Sequence, residues 1–154
     1  GILAVLGRGS QVQGAIEGES LLASAKATVG TVQTQALDSY DGQWSDSNQL
    51  WWISDKPNGT LTFKVNVPAA GTFDATAYLT RAGDYGIFEV TINGKPIYGE
   101  VDLYNDGVVP TGPVPVGLVQ LKAGDNEIKV TNIGKSPQSK GYLFGLDCIV
   151  LKKQ

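Results

Sequence analysis

The sequence contains no histidine and no methionine, and it has a single cysteine. Without histidine the chain has no imidazole base, no Ser-His or Cys-His nucleophile and no usual zinc ligand set. One cysteine excludes a disulfide framework. Cys148 alternates with Phe144, Leu146 and Val150, which predicts a small buried core residue. The missing initiator residue indicates a processed or excised chain, and a removed signal peptide would place it outside the cytoplasm.

The chain also lacks a basic patch and a long apolar run. Its formal net charge is −3, and its 12 Lys and Arg residues are spread thinly, so nucleic acid is excluded as an expected partner. No apolar stretch approaches the ~18 residues of a membrane span. With 154 residues the sequence predicts one domain that is large enough to bury a core.

Strict alternation of apolar and polar residues is the main pattern that is present. This period of two predicts strands with one buried face, and Asn93-Gly94 predicts a hairpin turn. The predicted strands are 61–67, 73–79, 88–92, 97–103, 116–121, 127–130 and 142–151. Short strands separated by turn residues predict an all-β jelly-roll sandwich of two antiparallel sheets.

Three segments do not follow this alternation. Residues 20–29 have apolar positions near helical spacing, but the Thr-rich continuation 28–34 favours a strand. Residues 105–115 contain three prolines and predict a stiff, ordered surface loop. The third segment is an apolar extension strand, and a flexible linker, 7–14, separates it from the domain at 15–154. The extension consists of Ile2, Leu3, Ala4, Val5 and Leu6.

Three carboxylates are placed where a bound cation is expected. Asp147 interrupts the apolar run of the last strand, where an unpaired charge is costly. Glu17 and Glu19 lie at strand spacing near the start of the domain. Because first and last strands often lie side by side in a β-sandwich, we expect these acids to meet at a sheet edge.

The ordered motifs along the chain resemble a known family of modules. They are Ile16-Glu17-Gly18-Glu19, Trp44-Ser45 with Gln49-Leu50-Trp51-Trp52, Asp84-Tyr85-Gly86, Asp102-Leu103-Tyr104 and Gly141 to Asp147. The set is similar to β-sandwich modules of the carbohydrate-binding type, near families six and thirty-five, which are accessory domains of bacterial glycoside hydrolases.

The resemblance implies a structural calcium ion. In such modules the ion lies between the first and last strands, and Glu17, Glu19 and Asp147 match the positions of its ligands. Oxygen ligands in irregular geometry suit calcium. The alternative is that Asp147 bonds backbone amides while both glutamates remain solvated at the edge.

The resemblance also implies a shallow glycan site at the loop tips, where aromatic rings stack on sugar faces. The candidate residues are Trp44, Trp51, Trp52, Arg81, Asp84, Tyr85, Tyr104 and Asn105. Adjacent Trp51 and Trp52 must face opposite sides of a strand, so one is expected in the core and the other at the surface. For every aromatic residue in the set, core packing is the alternative.

Catalysis is not predicted. Glycoside hydrolysis needs paired carboxylates in a cleft. Asp38, Asp41, Asp46 and Asp55 instead lie in turn-rich polar stretches, where aspartate commonly supports the turn itself.

Two functions therefore remain open. The first is an extracellular, non-catalytic module that binds polysaccharide. The second is a self-assembling subunit in which residues 2–6 are donated as a strand to a neighbouring identical subunit, head to tail, to form a filament. Pairing of residues 2–6 with their own domain, or disorder, also remains open.

Overall fold

Eleven β-strands form most of the computed structural model, which describes residues 12–154. The strands are β1 (Ala15–Glu17), β2 (Lys26–Ala27), β3 (Thr31–Ala36), β4 (Asn48–Ile53), β5 (Thr60–Val67), β6 (Gly71–Arg81), β7 (Ile87–Ile92), β8 (Lys95–Asp102), β9 (Val109–Leu121), β10 (Gly124–Gly134) and β11 (Phe144–Lys153). Two 3₁₀ helices, Gly18–Ser24 and Ser45–Ser47, connect them. The all-β prediction is confirmed.

The strands form two antiparallel sheets. Sheet I has the order β3-β4-β11-β6-β9, and sheet II has the order β2-β5-β10-β7-β8. The first strand, β1, pairs with β11 in sheet I, so that Ala15 lies opposite Val150 and Glu17 lies opposite Cys148. The expected contact between the first and last strands is therefore confirmed.

Alternating side chains from the two sheets meet in one apolar core. In β5, Leu61, Phe63 and Val65 point inward and are almost fully buried, as their spacing predicts. The ring of Phe88 lies 6.0 Å from that of Trp52 and 5.2 Å from that of Phe144, measured between centroids. These tilted and edge-on contacts link the two sheets, and burying such large rings stabilises the sandwich.

One local prediction was wrong, and a second, for residues 20–34, is met only in part, by β3 from Thr31 onward. The proline-rich segment 105–115 is not a loop throughout, because strand β9 begins at Val109 and includes its three prolines. β9 is the edge strand of sheet I, where a residue without an N–H group is tolerated. Residues 20–29 form neither one helix nor one strand: the 3₁₀ helix ends at Ser24, and β2 follows.

A β-bulge in β11 changes the face on which its residues lie. The register with β6 shifts between Leu146 and Cys148. Phe144 and Leu146 belong to the core before the bulge, and Ile149 packs against the core after it. Cys148 is fully buried as predicted, but it lies outside the main core cluster, because the extra residue reverses the alternation.

Part of the predicted architecture lies outside the described residues. The apolar segment 2–6 and linker positions 7–11 belong to this part, so the extension strand and the boundary at residue 14 stay predictions. Within residues 12–154, no helix is long and apolar enough to cross a membrane.

The opposite orientation of two adjacent tryptophans gives a stability prediction. Trp52 is fully buried in the core, whereas Trp51 is half-buried on the outer face of the same strand. Trp52→Ala should lower the free energy of unfolding by about 3–5 kcal/mol through loss of burial and formation of a cavity. Trp51→Ala is the matched control and should cost clearly less in chemical denaturation. Equal losses would contradict the assignment of faces.

Candidate functional site

The three carboxylates singled out in the sequence lie near one another at the junction of β1 and β11. They form the acidic cluster of Glu17, Glu19 and Asp147. Glu17 ends β1, and Glu19 lies in the first turn of the 3₁₀ helix that follows. Gly18 between them crosses β11 so closely that a Cβ atom there would lie 2.1 Å from the carbonyl oxygen of Leu146. The close crossing holds both glutamates beside Asp147.

Ser45 connects two members of the acidic cluster. Its backbone N–H donates to Asp147 Oδ2 at 3.0 Å, and its hydroxyl donates to Glu17 Oε2 at 2.6 Å. Sequence reasoning missed this role, because Ser45 follows Trp44 in a turn and carries no recognisable ligand spacing. The hydrogen bond from the Ser45 N–H agrees in part with the alternative stated for Asp147, in which its carboxylate accepts hydrogen bonds from backbone amides.

The remaining oxygens of the acidic cluster have no hydrogen-bond partner. Glu17 Oε1, both carboxylate oxygens of Glu19 and Asp147 Oδ1 are buried and unpaired. Burial raises the pKa of Asp147 to about 8; the Ser45 N–H opposes this rise, and the two glutamates add to it. Burial likewise raises the pKa of Glu19 to about 7 and shifts the pKa of Glu17 upward. Unpaired buried carboxylates are unfavourable, so this arrangement requires compensation.

The chemistry of the acidic cluster fits a hard cation. Unpaired carboxylate oxygens are the ligands that calcium prefers. Across residues 12–154, however, no three His, Cys, Asp or Glu side chains converge closely enough to form a ready-made metal centre. The donor atoms thus fit calcium, whereas their spacing in this structure does not by itself define a coordination shell.

A buried polar network lies on the outer face of sheet I. Trp44 Nε1 donates to Thr80 Oγ1 at 2.9 Å, and that hydroxyl donates to Gln49 Oε1 at 2.6 Å. The Gln49 amide nitrogen donates to Gln35 Oε1 at 2.8 Å and to the Tyr85 hydroxyl at 3.0 Å. Both ends of the Gln49 amide are therefore held in place. These five residues are the outer-face network.

Trp51 lies beside the outer-face network and is half-buried. It pairs with Gly145 of β11, where an added Cβ would lie 2.2 Å from Gln49 Oε1, so glycine makes room for the amide. Burial raises the pKa of the Tyr85 hydroxyl, and the neighbouring Gln49 amide and Trp51 indole oppose this rise. The Trp51 indole N–H is buried without a hydrogen-bond partner that meets normal geometry, so this patch holds an unpaired donor.

Three of the aromatic residues proposed for glycan stacking are too deeply buried for that role. Trp44 is 2% exposed, Trp52 is 0% exposed and Tyr85 is 3% exposed, so none presents a ring face to solvent. Trp52 and Tyr85 belong to the core cluster, and Trp44 and Tyr85 form hydrogen bonds in the outer-face network. The alternative of core packing therefore holds for these three residues, as expected because large aromatic rings dominate sandwich interiors.

The other four predicted glycan residues, Arg81, Asp84, Tyr104 and Asn105, lie at one end of the sandwich and form the loop-tip group. Ala82 bridges to Tyr104, and the Asn105 N–H donates to the carbonyl oxygen of Ala82 at 3.2 Å. Arg81 is exposed, and the other three are half-buried. The structure brings these residues to one end of the fold, but Tyr104 is the single aromatic ring among them.

No protein-family model and no curated protein matches this sequence. Solved structures do match it. A xanthan lyase from Paenibacillus aligns at 18% identity with a TM-score of 0.73, over 95% of this chain and 14% of the lyase chain. A β-(1,4)-mannanase from Podospora anserina, described as GH26-CBM35, aligns at 24% identity with a TM-score of 0.57, over 96% of this chain and 28% of the enzyme.

A family 35 carbohydrate binding module from Clostridium thermocellum matches over almost its full length. The alignment covers 91% of this chain and 97% of the module, at 14% identity and a TM-score of 0.55. The chain spans only a small part of the two enzymes above but nearly all of this module. The predicted resemblance is therefore confirmed at the level of the fold, which is that of family 35 carbohydrate-binding modules.

Proposed function

We propose that this chain is a non-catalytic, extracellular carbohydrate-binding module that binds polysaccharide on the outer face of sheet I, with Trp51 as the central contact. The observation that carries the proposal is the half-buried Trp51 side chain on the outer face, whose indole N–H is buried without a hydrogen-bond partner. The fold supports a module of this class but leaves the ligand and the binding surface to experiment.

The chemistry of the Trp51 patch suits a sugar. An indole face offers apolar area to the C–H face of a pyranose ring, and such rings supply much of the energy of a binding site. A sugar hydroxyl both donates and accepts hydrogen bonds. It therefore suits a patch where the Trp51 N–H lacks an acceptor.

The outer-face network supports binding by holding the patch rigid. Gln49 is fully buried, and its amide is fixed by bonds to Thr80, Gln35 and Tyr85. A surface held in one conformation loses little entropy on binding, which favours affinity for a weakly adhering ligand. Gln33, opposite Trp51 on β3, is exposed and adds amide groups at the margin of the patch.

The loop-tip group remains a second candidate surface within the same proposal. Asp84 directly precedes Tyr85, so the group adjoins the outer-face network through that residue. Arg81 and Asn105 would supply polar contacts there, with Tyr104 as the ring. We favour the Trp51 patch because its indole N–H is buried and unpaired, whereas Asn105 already donates to the carbonyl oxygen of Gly107 at 2.7 Å.

The share of each similar solved structure that aligns with this chain supports an accessory role rather than catalysis. The chain corresponds to nearly a whole family 35 module and to 14% and 28% of two larger enzymes. Those enzymes are named for xanthan and β-1,4-mannan, which makes both polysaccharides sensible first ligands. An extracellular location follows from the same proposal, since these polymers lie outside cells.

Binding should depend on the Trp51 ring. In affinity electrophoresis on gels that contain xanthan, β-1,4-mannan or β-1,3-galactan, we expect the chain to be retarded by at least one polymer. Trp51→Ala should weaken that binding by roughly 30-fold, the size of about 2 kcal/mol for a central aromatic contact. Trp51→Phe keeps an aromatic face and should retain most of the affinity.

Tyr104→Ala is the matched comparison at the loop-tip group. If this variant loses binding while Trp51→Ala keeps it, the loop tips are the site, and the outer-face assignment is wrong. Absence of retardation on a broad polysaccharide panel would contradict the carbohydrate-binding function itself. Circular dichroism of each variant checks that the fold is retained.

The proposal includes a structural calcium ion at the acidic cluster. Glu17, Glu19 and Asp147 would hold it, and the unpaired buried oxygens of all three are what supports it. The divalent ion would offset the mutual repulsion of the three carboxylates and join the first strand to the last, so its contribution is to stability and not to a reaction. Ser45 would position Glu17 and Asp147 through its two hydrogen bonds.

Asp147→Asn should lower the melting temperature when calcium is present and should not lower it when calcium is removed by a chelator. In excess calcium the natural chain should melt at a higher temperature than the variant, which lacks one ligand charge. In chelator the natural chain should lose several degrees, because the stabilisation that bound calcium gives to the folded state is then removed. The variant should change little and melt at least as high as the chelated natural chain. An unchanged melting midpoint of the natural chain on chelation would reject the calcium site.

A further inference from the structure

The apolar interior of the sandwich reaches the side on which both sheets end. β8 ends sheet II and β9 ends sheet I, and they lie on the same side of the molecule. A cavity of about 70 Å³, the edge crevice, is lined mainly by core side chains of β5, β6, β7, β10 and β11 and extends to these two edge strands. Ile97, Tyr98 and Val101 of β8 line it on one side and Val116 of β9 on the other; all four are half-buried.

The edge crevice is apolar. The Tyr98 hydroxyl is the one polar group among its lining side chains, and it is already used, because it donates to the carbonyl oxygen of Pro115 across the opening. Apolar cavities gain little from water and take up aliphatic or aromatic groups instead. The edge crevice thus suits aliphatic side chains that arrive from outside the fold.

We propose that the edge crevice is the docking site for residues 2–6 of a second copy of this chain. This segment holds five consecutive apolar residues, Ile-Leu-Ala-Val-Leu. In an extended conformation its alternate side chains point to one side and enter the crevice, while its backbone pairs with an edge strand. Strand addition of this kind buries apolar groups and satisfies backbone hydrogen bonds at once.

β8 is the better pairing partner of the two edges. Pro110, Pro113 and Pro115 remove three N–H donors from β9, which is a common way to blunt a sheet edge. β8 has one proline, Pro96, near its start. The incoming strand therefore pairs with β8 and places its side chains against the wall formed by Val101 and its neighbours.

The reach of the chain favours a second copy over the same chain. Val12 leads into β1, which pairs with β11 on the side opposite β6; β9 lies beyond β6. Three strand spacings of ~4.8 Å give roughly 14 Å, and the path must then turn around an edge between sheets ~10 Å apart. The five residues 7–11 span at most about 18 Å even when fully extended, which is less than these two distances together. The same chain therefore does not supply the strand, and a second copy is the better donor.

Donor and acceptor then lie on different surfaces of each copy. Such a contact is heterologous, so it repeats from copy to copy and yields an open chain of modules instead of a closed dimer. A row of glycan-binding surfaces would result, yet the docking itself needs no glycan. Failure of one proposal therefore leaves the other intact.

Self-association should depend on residues 2–6. Light scattering coupled to size exclusion, over a range of concentrations of the full chain, should show species larger than a monomer. Ala4→Asp with Val5→Asp places a charge on each face of an extended segment and should weaken association at least tenfold. Leu118→Asp, on β9 with a side chain 68% exposed, is the control for non-specific adhesion and should leave association unchanged. A full chain that stays monomeric at all concentrations overturns the proposal.

Cross-linking locates the acceptor without loss of a buried residue. Chains with Val5→Cys are mixed with chains carrying Val101→Cys; the native Cys148 is fully buried and does not compete. We expect disulfides between the two kinds of chain, and far fewer when Lys64→Cys on the exposed face of sheet II replaces Val101→Cys. If the yield of disulfides at position 101 does not exceed that at position 64, the edge crevice is not the acceptor. In a third sample, each chain carries both substitutions. If the disulfide then forms within single chains and few linked pairs appear, the donor is the same chain and not a second copy.

Discussion

The position of the last strand is the constraint on which the rest of the structure depends. β11 pairs with β4, β6 and β1, so it joins the start of the domain to its centre. Its bulge at Leu146 to Cys148 places Asp147 near the two glutamates at the end of β1 and just after it. Upstream of the bulge, Gly145 leaves the space that the Gln49 amide occupies. The acidic cluster and the outer-face network are therefore two consequences of the path of one strand.

The two polar regions differ in how their charges and hydrogen bonds are balanced. In the outer-face network each polar atom of the Gln49 amide has a partner, so the network adds rigidity at little cost. In the acidic cluster four carboxylate oxygens are buried without one. Either protonation of these carboxyls, whose pKa values are raised, or binding of a cation offsets the repulsion. This difference leads us to assign a stabilising ion to one region and ligand recognition to the margin of the other.

Much of the fold could be predicted from the sequence because it follows from local alternation. The strands of sheet II and the meeting of Glu17 with Asp147 follow from period-two patterns and from the usual adjacency of first and last strands. The bulge and the prolines of β9 could not, because each depends on position within a sheet, which local spacing does not encode. The glycan residues were only partly predictable: sequence separates Trp51 from Trp52 but does not say that Trp44 and Tyr85 are covered. Nor did any pattern identify Ser45.

The unequal burial of the tryptophans has a spectroscopic consequence. All three, Trp44, Trp51 and Trp52, lie within the described residues, and Trp51 alone among them is half-exposed. A dissolved collisional quencher therefore reaches one indole and leaves the emission of the other two nearly intact. The quenchable fraction of the fluorescence is thus an intrinsic reporter of the solvent contact of a single side chain, and it needs no attached dye.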